Sequence, residues 1–192
     1  MRIETTTRTL YTFDELPEDI KEKAIEKCYY INIDCGWDWW ENVYEDAENI
    51  GLKIEAFDID RGSYVRGKLT DYTLNVAEKV LKDHGEMTET YKLAEQYIQD
   101  RKERTTKLMA EQCQYESECL CVPGYDIEEI EWGYHEIDEN DYEEINVEFE
   151  RALKEEYLSI LRREYDYLTS EEAIIETIQA NEYEFDEDGN LA

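Results

Sequence analysis

The side chains best suited to metal chemistry lie in the middle of the chain. Cys113, Cys119 and Cys121 are followed by His135, and thiolates and imidazoles are ligands that zinc prefers. Structural zinc sites usually separate paired cysteines by two to four residues, whereas the gaps here are five residues and one residue. The spacing favours buried or incidental thiols, and a zinc site stays open as the alternative.

A second metal-like pattern is D-x-D-x-G at residues 58–62, which resembles the start of a calcium loop. A third acidic ligand is missing, and the twelfth position of such a loop is Leu69 instead of Glu. The simpler interpretation is a hairpin turn in which Asp58 and Asp60 hold Arg61 or the turn amides.

Patterns typical of catalysis are scarce. The chain has two histidines, His84 and His135, and neither lies beside a Ser or Cys in a nucleophile motif. Glycine-rich dinucleotide loops, P-loops and HExxH sequences do not occur. Carboxylates are so abundant that a glycosidase-like pair carries no specificity. We therefore expect neither an enzyme nor a bound cofactor.

The charge of the chain is its most informative property. Its 192 residues include 51 acidic and 20 basic side chains, for a formal net charge of −31. Residues 126–192 hold 24 of the acids and only 4 of the bases, and no Lys or Arg occurs from Leu108 to Glu150. Direct binding to nucleic acid or to an anionic membrane is disfavoured, because both need Lys and Arg.

The acidic stretch has two interpretations, and both stay open. It is either a solvated face that keeps the protein soluble, or a carboxylate surface that imitates the phosphates of DNA and docks into a basic groove. The second interpretation predicts association that is fast and sensitive to salt. The surface is predicted to extend to Glu155, Glu156, Glu164 and the C-terminal tail. Its predicted members are Asp126, Glu128, Glu129, Glu131, Glu136, Asp138, Glu139, Asp141, Glu143, Glu144 and Glu148.

Aromatic and basic side chains predict an alternative surface. Trp37, Trp39 and Trp40 form a tight cluster, which at helical spacing favours core positions but leaves room for one exposed anchor. Lys53 and Lys68 lie in the same predicted hairpin as two arginines, so an anionic ligand could find local positive charge there. The predicted alternative partner or ligand surface consists of Trp37, Trp39, Arg61, Tyr64 and Arg66.

Periodicity and turn signals predict an α+β fold. It has a small antiparallel sheet, several packed helices and a long C-terminal amphipathic helix. The predicted strands lie near residues 5–13, 52–59 and 64–69. Helices are predicted at 17–31, 37–50, 71–83, 88–111 and 141–169, and another after Ser170 as its N-cap. Residues 112–125 are predicted to be a loop, residues 126–137 a strand or irregular segment, and the tail a strand and an acidic turn.

The predicted organisation has two parts. Residues 1–111 form an α+β part with the hairpin, and residues 112–192 form an acidic, mostly helical part packed on the first as one compact unit. The five cysteines, the polar N-terminus and the lack of any stretch of about 20 apolar residues predict free thiols in a reducing cytoplasm.

Three segments resemble a family of hypothetical proteins encoded by bacteriophages and prophages. They are YTFDELPEDIKEKAIEK, WWENVYEDAENIGLKIEAFDIDRGSYVRGKL and YLSILRREYDYLTSEEAIIETIQANEYEFDEDG. The resemblance spans Tyr11 to Gly189 and carries over no site residues. It implies a genomic context in which small acidic proteins often inhibit host defences, some of them by imitating DNA.

The leading hypothesis is a phage-encoded inhibitor, anti-CRISPR or anti-restriction, in the cytoplasm of the infected bacterial host. It would bind a host defence protein through that protein's basic nucleic-acid-binding groove. One alternative is a non-catalytic phage adaptor that binds a partner through the aromatic surface. Another is a sponge for a nucleotide ligand at the hairpin.

Overall fold

The structure is a computed structural model. It describes residues 8–34, 36, 38–120 and 137–192, and for residues 112–120 it describes the backbone alone. The fold is α+β, as predicted, with mostly helical residues and two small antiparallel sheets among those described. The chain divides into two compact units. Unit 1 is Met1–Val43 with Ser159–Ala192, and unit 2 is Tyr44–Leu158. The predicted division between residues 111 and 112 stays a prediction.

Unit 1 is assembled from both ends of the chain. Strand β1 (Tyr11–Thr12) pairs antiparallel with β4 (Glu184–Phe185), so that Tyr11 lies opposite Phe185. The strand predicted over residues 5–13 is short on its described side, because a 3-10 helix begins at Phe13. The Glu15 carboxylate accepts hydrogen bonds from the amide and hydroxyl of Thr12, which fixes this early turn.

Helices α1 (Glu18–Lys27) and α6 (Glu171–Ala180) supply the core of unit 1. The Ser170 hydroxyl accepts a hydrogen bond from the Ala173 amide, so the predicted N-cap of α6 is confirmed. Gly189 has a φ of +75°, and an added Cβ would lie 3.1 Å from the Ile20 carbonyl oxygen. The buried cluster consists of Phe13, Leu16, Ala24, Cys28, Ile174, Ile178 and Phe185.

Unit 2 contains the predicted hairpin. Helix α2 (Glu41–Ile50) spans the division between the units and precedes β2 (Leu52–Asp58) and β3 (Tyr64–Leu69). The two strands pair antiparallel, from Leu52 opposite Leu69 to Asp58 opposite Tyr64, with a bulge between Ile54 and Ala56. Leu52 and Ile54 are buried, whereas the intervening Lys53 is exposed, which is the alternation expected of a half-buried strand.

Three helices complete unit 2. They are α3 (Thr73–Asp83), α4 (Glu89–Leu120) and the first part of α5 (Glu143–Leu168). Helices α3 and α4 pack against each other, and Val76, Ala77, Val80 and Ala94 are fully buried. Within the described part of the chain, no helix combines the length and apolar character needed to cross a bilayer.

The long C-terminal helix is confirmed, but α4 is longer than predicted. Residues 112–120 were predicted to begin a loop, and they are helical instead. The reason is that no Gly or Pro occurs between Glu89 and Leu120, and the first strong helix breaker is Pro123. After residue 111 the sequence has no apolar side at helical spacing. This loss of apolar periodicity does not coincide with the end of α4.

Candidate acidic interaction surface

Just before α5, acidic side chains accept hydrogen bonds from backbone amides. Asp138 precedes a 3-10 helix at Glu139–Tyr142, and its carboxylate accepts a hydrogen bond from the Asn140 amide at 2.8 Å. The Asp138 amide in turn donates to the Asp141 carboxylate at 3.0 Å. This reciprocal cap gives both carboxylates a structural role.

Glu139 is held by an arginine from a distant part of the sequence. Arg101 donates two hydrogen bonds to its carboxylate, at 2.7 Å and 3.1 Å, in the bidentate geometry that favours strong pairing. The guanidinium hydrogen bonds hold the pKa of Glu139 below its usual range, and the same contact raises the pKa of Arg101. The Arg101 side chain is only 13% exposed, so this pair is partly shielded from water.

Further contacts fix the same arginine between α4 and α5. Its guanidinium carbon lies 3.8 Å from the centre of the Tyr142 ring, at cation–π distance. It also donates to the Tyr97 hydroxyl at 3.1 Å, and that hydroxyl donates to Asn146 at 2.7 Å. Burial raises the pKa of Tyr97. The Tyr142 hydroxyl donates to Thr105, whose own hydroxyl donates to the Arg101 carbonyl.

The later acids of α5 pair with cations one turn away. Lys154 lies 2.6 Å from Glu150, and Arg151 lies 3.7 Å from Glu148 and 3.1 Å from Glu155. These are exposed or half-exposed pairs at helical spacing, which contribute a few tenths of a kcal/mol each, about 0.3–0.5. Glu148 is therefore only loosely held and stays accessible to another cation.

Glu143 and Glu144 are the exception in this part of the chain. Both are exposed in the first turn of α5, and neither carboxylate makes an ion pair or hydrogen bond with another described residue. The positive end of the helix dipole favours carboxylates at this position, so a structural reason for them also exists. We name residues 138–150 the anchored acidic segment, because most of its carboxylates are engaged.

The other half of the predicted surface lies outside the described residues, and its members stay predictions. These members are Asp126, Glu128, Glu129, Glu131 and Glu136.

A second group of acids, in unit 1, is exposed and unpaired. No Lys or Arg follows Arg163 in the sequence. The side chains of these acids make no ion pair or hydrogen bond with another residue that the structure describes. Asp186 differs from them. Its carboxylate accepts hydrogen bonds from the Asn190 side chain and from the Asn190 and Asp188 amides, and these hydrogen bonds lower the pKa of Asp186. We name the unpaired group the C-terminal carboxylates: Glu171, Glu172, Glu176, Glu182, Glu184, Glu187 and Asp188.

Trp39, which is part of the predicted alternative surface, is buried. Trp39 is only 5% exposed, and its ring contacts those of Trp40 and Tyr165 with centroids 5.5 Å and 5.7 Å away. It is a core residue of unit 1 and offers no ring to a partner. Trp37 lies outside the described residues.

The hairpin keeps its exposed polar side chains. Tyr64 is 44% exposed, and Arg61 and Arg66 are also exposed, with Arg66 lying 4.0 Å from Glu55. Lys53 lies directly opposite Lys68 in the strand register, and both are exposed. Like charges in directly opposite positions destabilise a sheet, so this cross-strand pair is the most distinctive electrostatic feature of the hairpin.

The described residues show no geometry that fits a metal site. In residues 8–34, 36, 38–111 and 137–192, no group of three His, Cys, Asp or Glu side chains could hold an ion. Asp58 accepts a hydrogen bond from the Asp60 amide at 2.7 Å, which is the turn geometry expected of this segment. The side chains of Cys113, Cys119, Cys121 and His135 lie outside the description, so the zinc alternative stays a prediction.

One partly buried polar network was not predicted. The Tyr157 hydroxyl donates to Asp46 at 2.7 Å, and the other oxygen of that carboxylate lies 3.5 Å from His84 Nε2. The contact with His84 lowers the pKa of Asp46, and burial raises the pKa of Tyr157. His84 Nδ1 lies 2.7 Å from the Thr90 hydroxyl. Tyr157 is fully buried and the His84 side chain is 10% exposed, whereas the Asp46 side chain is 51% exposed, so the network joins α2, the end of α3 and α5 near the surface of unit 2.

No protein-family model, curated protein or solved structure matches this chain.

Proposed function

We propose that this protein is a non-catalytic inhibitor encoded by a bacteriophage. It would act in the host cytoplasm and block a host nucleic-acid-handling defence complex, of the CRISPR or restriction type. Its carboxylates would occupy a basic groove that otherwise binds nucleic acid. The observation that supports this most is the uneven charge, with 24 acids and 4 bases in residues 126–192.

Exposed carboxylates that lack a cation are the ones available for such binding. In the acidic part of the chain, the described members of this class include Glu143 and Glu144 at the start of α5, and the C-terminal carboxylates. The predicted surface continues through residues 126–136. Glu143 and Glu144 are neighbours on a helix that rises about 1.5 Å per residue, so this pair alone matches the spacing of duplex DNA, which carries about one charge per 1.7 Å.

The cations of the fold support the same proposal in a second way. Arg101 and Lys154 are engaged in internal pairs, and Lys27 donates to the Asp188 carbonyl and the Asn190 side chain. These cations are therefore unavailable to neutralise the exposed acids. An external basic surface would meet little competition, and association would be steered electrostatically and weakened by salt.

A pull-down from bacterial lysate with the tagged full chain tests the proposal. The test variant reverses Glu128, Glu129, Glu131, Glu143 and Glu144 to Lys. The control reverses Glu22, Glu26, Glu45, Glu48 and Glu78, which are exposed and give the same net charge. We expect a nucleic-acid-binding protein that duplex DNA displaces, with affinity falling about tenfold or more in the test variant and about threefold or less in the control. Equal affinity of the two variants would exclude the acidic stretch as the binding surface.

A second candidate function follows from the hairpin. An anionic ligand such as a nucleotide would relieve the repulsion between the opposed Lys53 and Lys68. Arg66 and Tyr64 lie farther along β3 and could contact the same ligand. A thermal-shift screen with nucleotides tests it, since a bound ligand raises the melting temperature. The expected shift disappears in Lys53→Gln with Lys68→Gln. A nucleotide that stabilises this double variant as much as the parent chain would exclude the hairpin.

A further inference from the structure

A groove of about 370 Å³ runs between α4 and α5 in unit 2. Its floor is apolar, with Leu93, Ile145 and Ala152 partly exposed above the buried rings of Tyr97 and Phe149. Its rim carries three carboxylates, from Asp100, Glu144 and Glu148. The volume is at the lower end of the range for small-ligand pockets, which is enough for one or two inserted side chains.

Two buried aromatic rings support the floor of the groove. The rings of Tyr97 and Phe149 lie with centroids 4.6 Å apart, and both residues are buried, at 2% and 4% exposure. The hydrogen bond from the Tyr97 hydroxyl to Asn146 fixes the ring from its far end. An apolar side chain entering the groove would therefore meet a preformed surface, and little conformational entropy would be lost on binding.

The rim is anionic and incompletely neutralised. None of the residues that line the groove is a Lys or Arg. Asp100 accepts a hydrogen bond from Gln96 and Glu148 lies 3.7 Å from the exposed Arg151, whereas Glu144 has no partner among the described residues. Glu144 and Glu148 are one helical turn apart, so their carboxylates lie along the same edge.

We propose that this groove binds a basic amphipathic helix of a partner protein. An apolar side chain of that helix would rest on Leu93, Ile145 and Ala152, while Lys or Arg at i+3 or i+4 would reach the rim carboxylates. The charge of the rim matches cations and opposes phosphate, so neither nucleic acid nor an anionic membrane is the occupant. This inference rests on the proposed function and adds an apolar anchor to it.

The test uses synthetic helical peptides of about 18 residues, a length at which isolated helices become stable. One peptide carries Lys with a Leu stripe at i, i+3, i+4 spacing, and the other has Gln in place of every Leu and the same charge. Calorimetry measures their binding to the full chain. We expect the Leu peptide to bind about tenfold more tightly than the Gln peptide, because only the Leu peptide can use the floor.

Two triple variants separate the groove from charge in general. Asp100→Asn with Glu144→Gln and Glu148→Gln neutralises the rim. Glu171→Gln with Glu172→Gln and Glu176→Gln changes the net charge equally on α6. We expect the rim variant to weaken binding of the Leu peptide about tenfold and the α6 variant about threefold or less. A third variant, Ala152→Phe, fills the groove and is expected to remove the preference for Leu over Gln while it keeps binding of both peptides.

Each outcome decides between the two ideas. Equal binding of the Leu and Gln peptides, or equal weakening by the two triple variants, would overturn the groove and leave the acidic-surface proposal standing. Discrimination by the groove, together with a pull-down that captures no DNA-displaceable protein, would support the groove and overturn the inhibitor function.

Discussion

The anchored acidic segment and the C-terminal carboxylates have the same appearance in the sequence. Both are rich in Asp and Glu, and both lie in long stretches without Lys or Arg. In the structure they differ, because Arg101 crosses 38 positions of sequence to hold Glu139, while Glu171, Glu172 and Glu176 make no such contact with described residues. A cation-free stretch of sequence therefore does not by itself identify free negative charge.

The difference separates two uses of a carboxylate. In the anchored acidic segment, Asp138, Glu139 and Asp141 fix the start of α5, and the charge of Glu139 is balanced by Arg101. The C-terminal carboxylates contribute repulsion to the folded state, which salt screens, and they leave a surface that an external cation can reach. Four experiments would break or sharpen this distinction.

Arg101→Ala is expected to have the largest effect. It leaves Glu139 without its bidentate partner, removes a donor from the Tyr97–Asn146 network and uncovers the Tyr142 ring. Breaking a buried pair costs about 3–5 kcal/mol, and half-exposure of Glu139 reduces the expected loss to about 2–3 kcal/mol. Urea unfolding measures it. Arg151→Ala, in an exposed pair of the same helix, should lose about 0.5 kcal/mol or less, and equal losses would contradict the distinction.

Gly189→Ala is expected to destabilise unit 1 by about 1–2 kcal/mol. The φ of +75° disfavours any side chain, and the new Cβ would press on the Ile20 carbonyl oxygen at 3.1 Å. The measurement is again urea unfolding, with the exposed Gly62→Ala as the matched control, since nothing lies within 4 Å of a Cβ there. If Gly189→Ala were neutral, the tail would not be seated on α1 as described.

Acid should weaken the anchored acidic segment through Glu139. Its pKa is lowered in the folded protein, so its contribution to stability is fully present above its unfolded value of about 4.3 and is lost as pH falls through the lower folded value. The difference in unfolding free energy between the parent chain and Arg101→Ala should therefore shrink as pH falls below about 4. A difference that stayed constant with pH would argue that Arg101 acts by packing alone.

Neutralising Glu171, Glu172 and Glu176 to Gln should change stability least, by about 0.5 kcal/mol or less. Relief of repulsion favours the variant, while loss of two carboxylates from the first turn of α6 opposes it. Because repulsion is the more strongly screened, unfolding in 0.5 M salt should shift the balance against the variant. A loss near that of Arg101→Ala would mean that these acids are anchored too.

The sequence predicted what depends on neighbouring residues. The Ser170 cap, the hairpin and the long helix α5 follow from capping chemistry, turn signals and a continuous apolar stripe, and each is present. The pairing of Arg101 with Glu139, and of Tyr157 with Asp46, joins residues that no periodicity connects. Trp39, a predicted member of the alternative surface, is buried, and it contacts Tyr165, which no periodicity connects with it.

The pairing of β1 with β4 sets an order of events during synthesis. Unit 2 is continuous in sequence and is complete once residue 158 has left the ribosome, whereas Tyr11 must wait for Phe185. At about 5–20 residues per second this delay lasts about 1–5 s after unit 2 is finished. Throughout it, Phe13, Leu16 and Ala24 lack the α6 residues that cover them. Residues 11–28 therefore leave the ribosome long before their partners, and their apolar face stays exposed until residues 171–185 have followed.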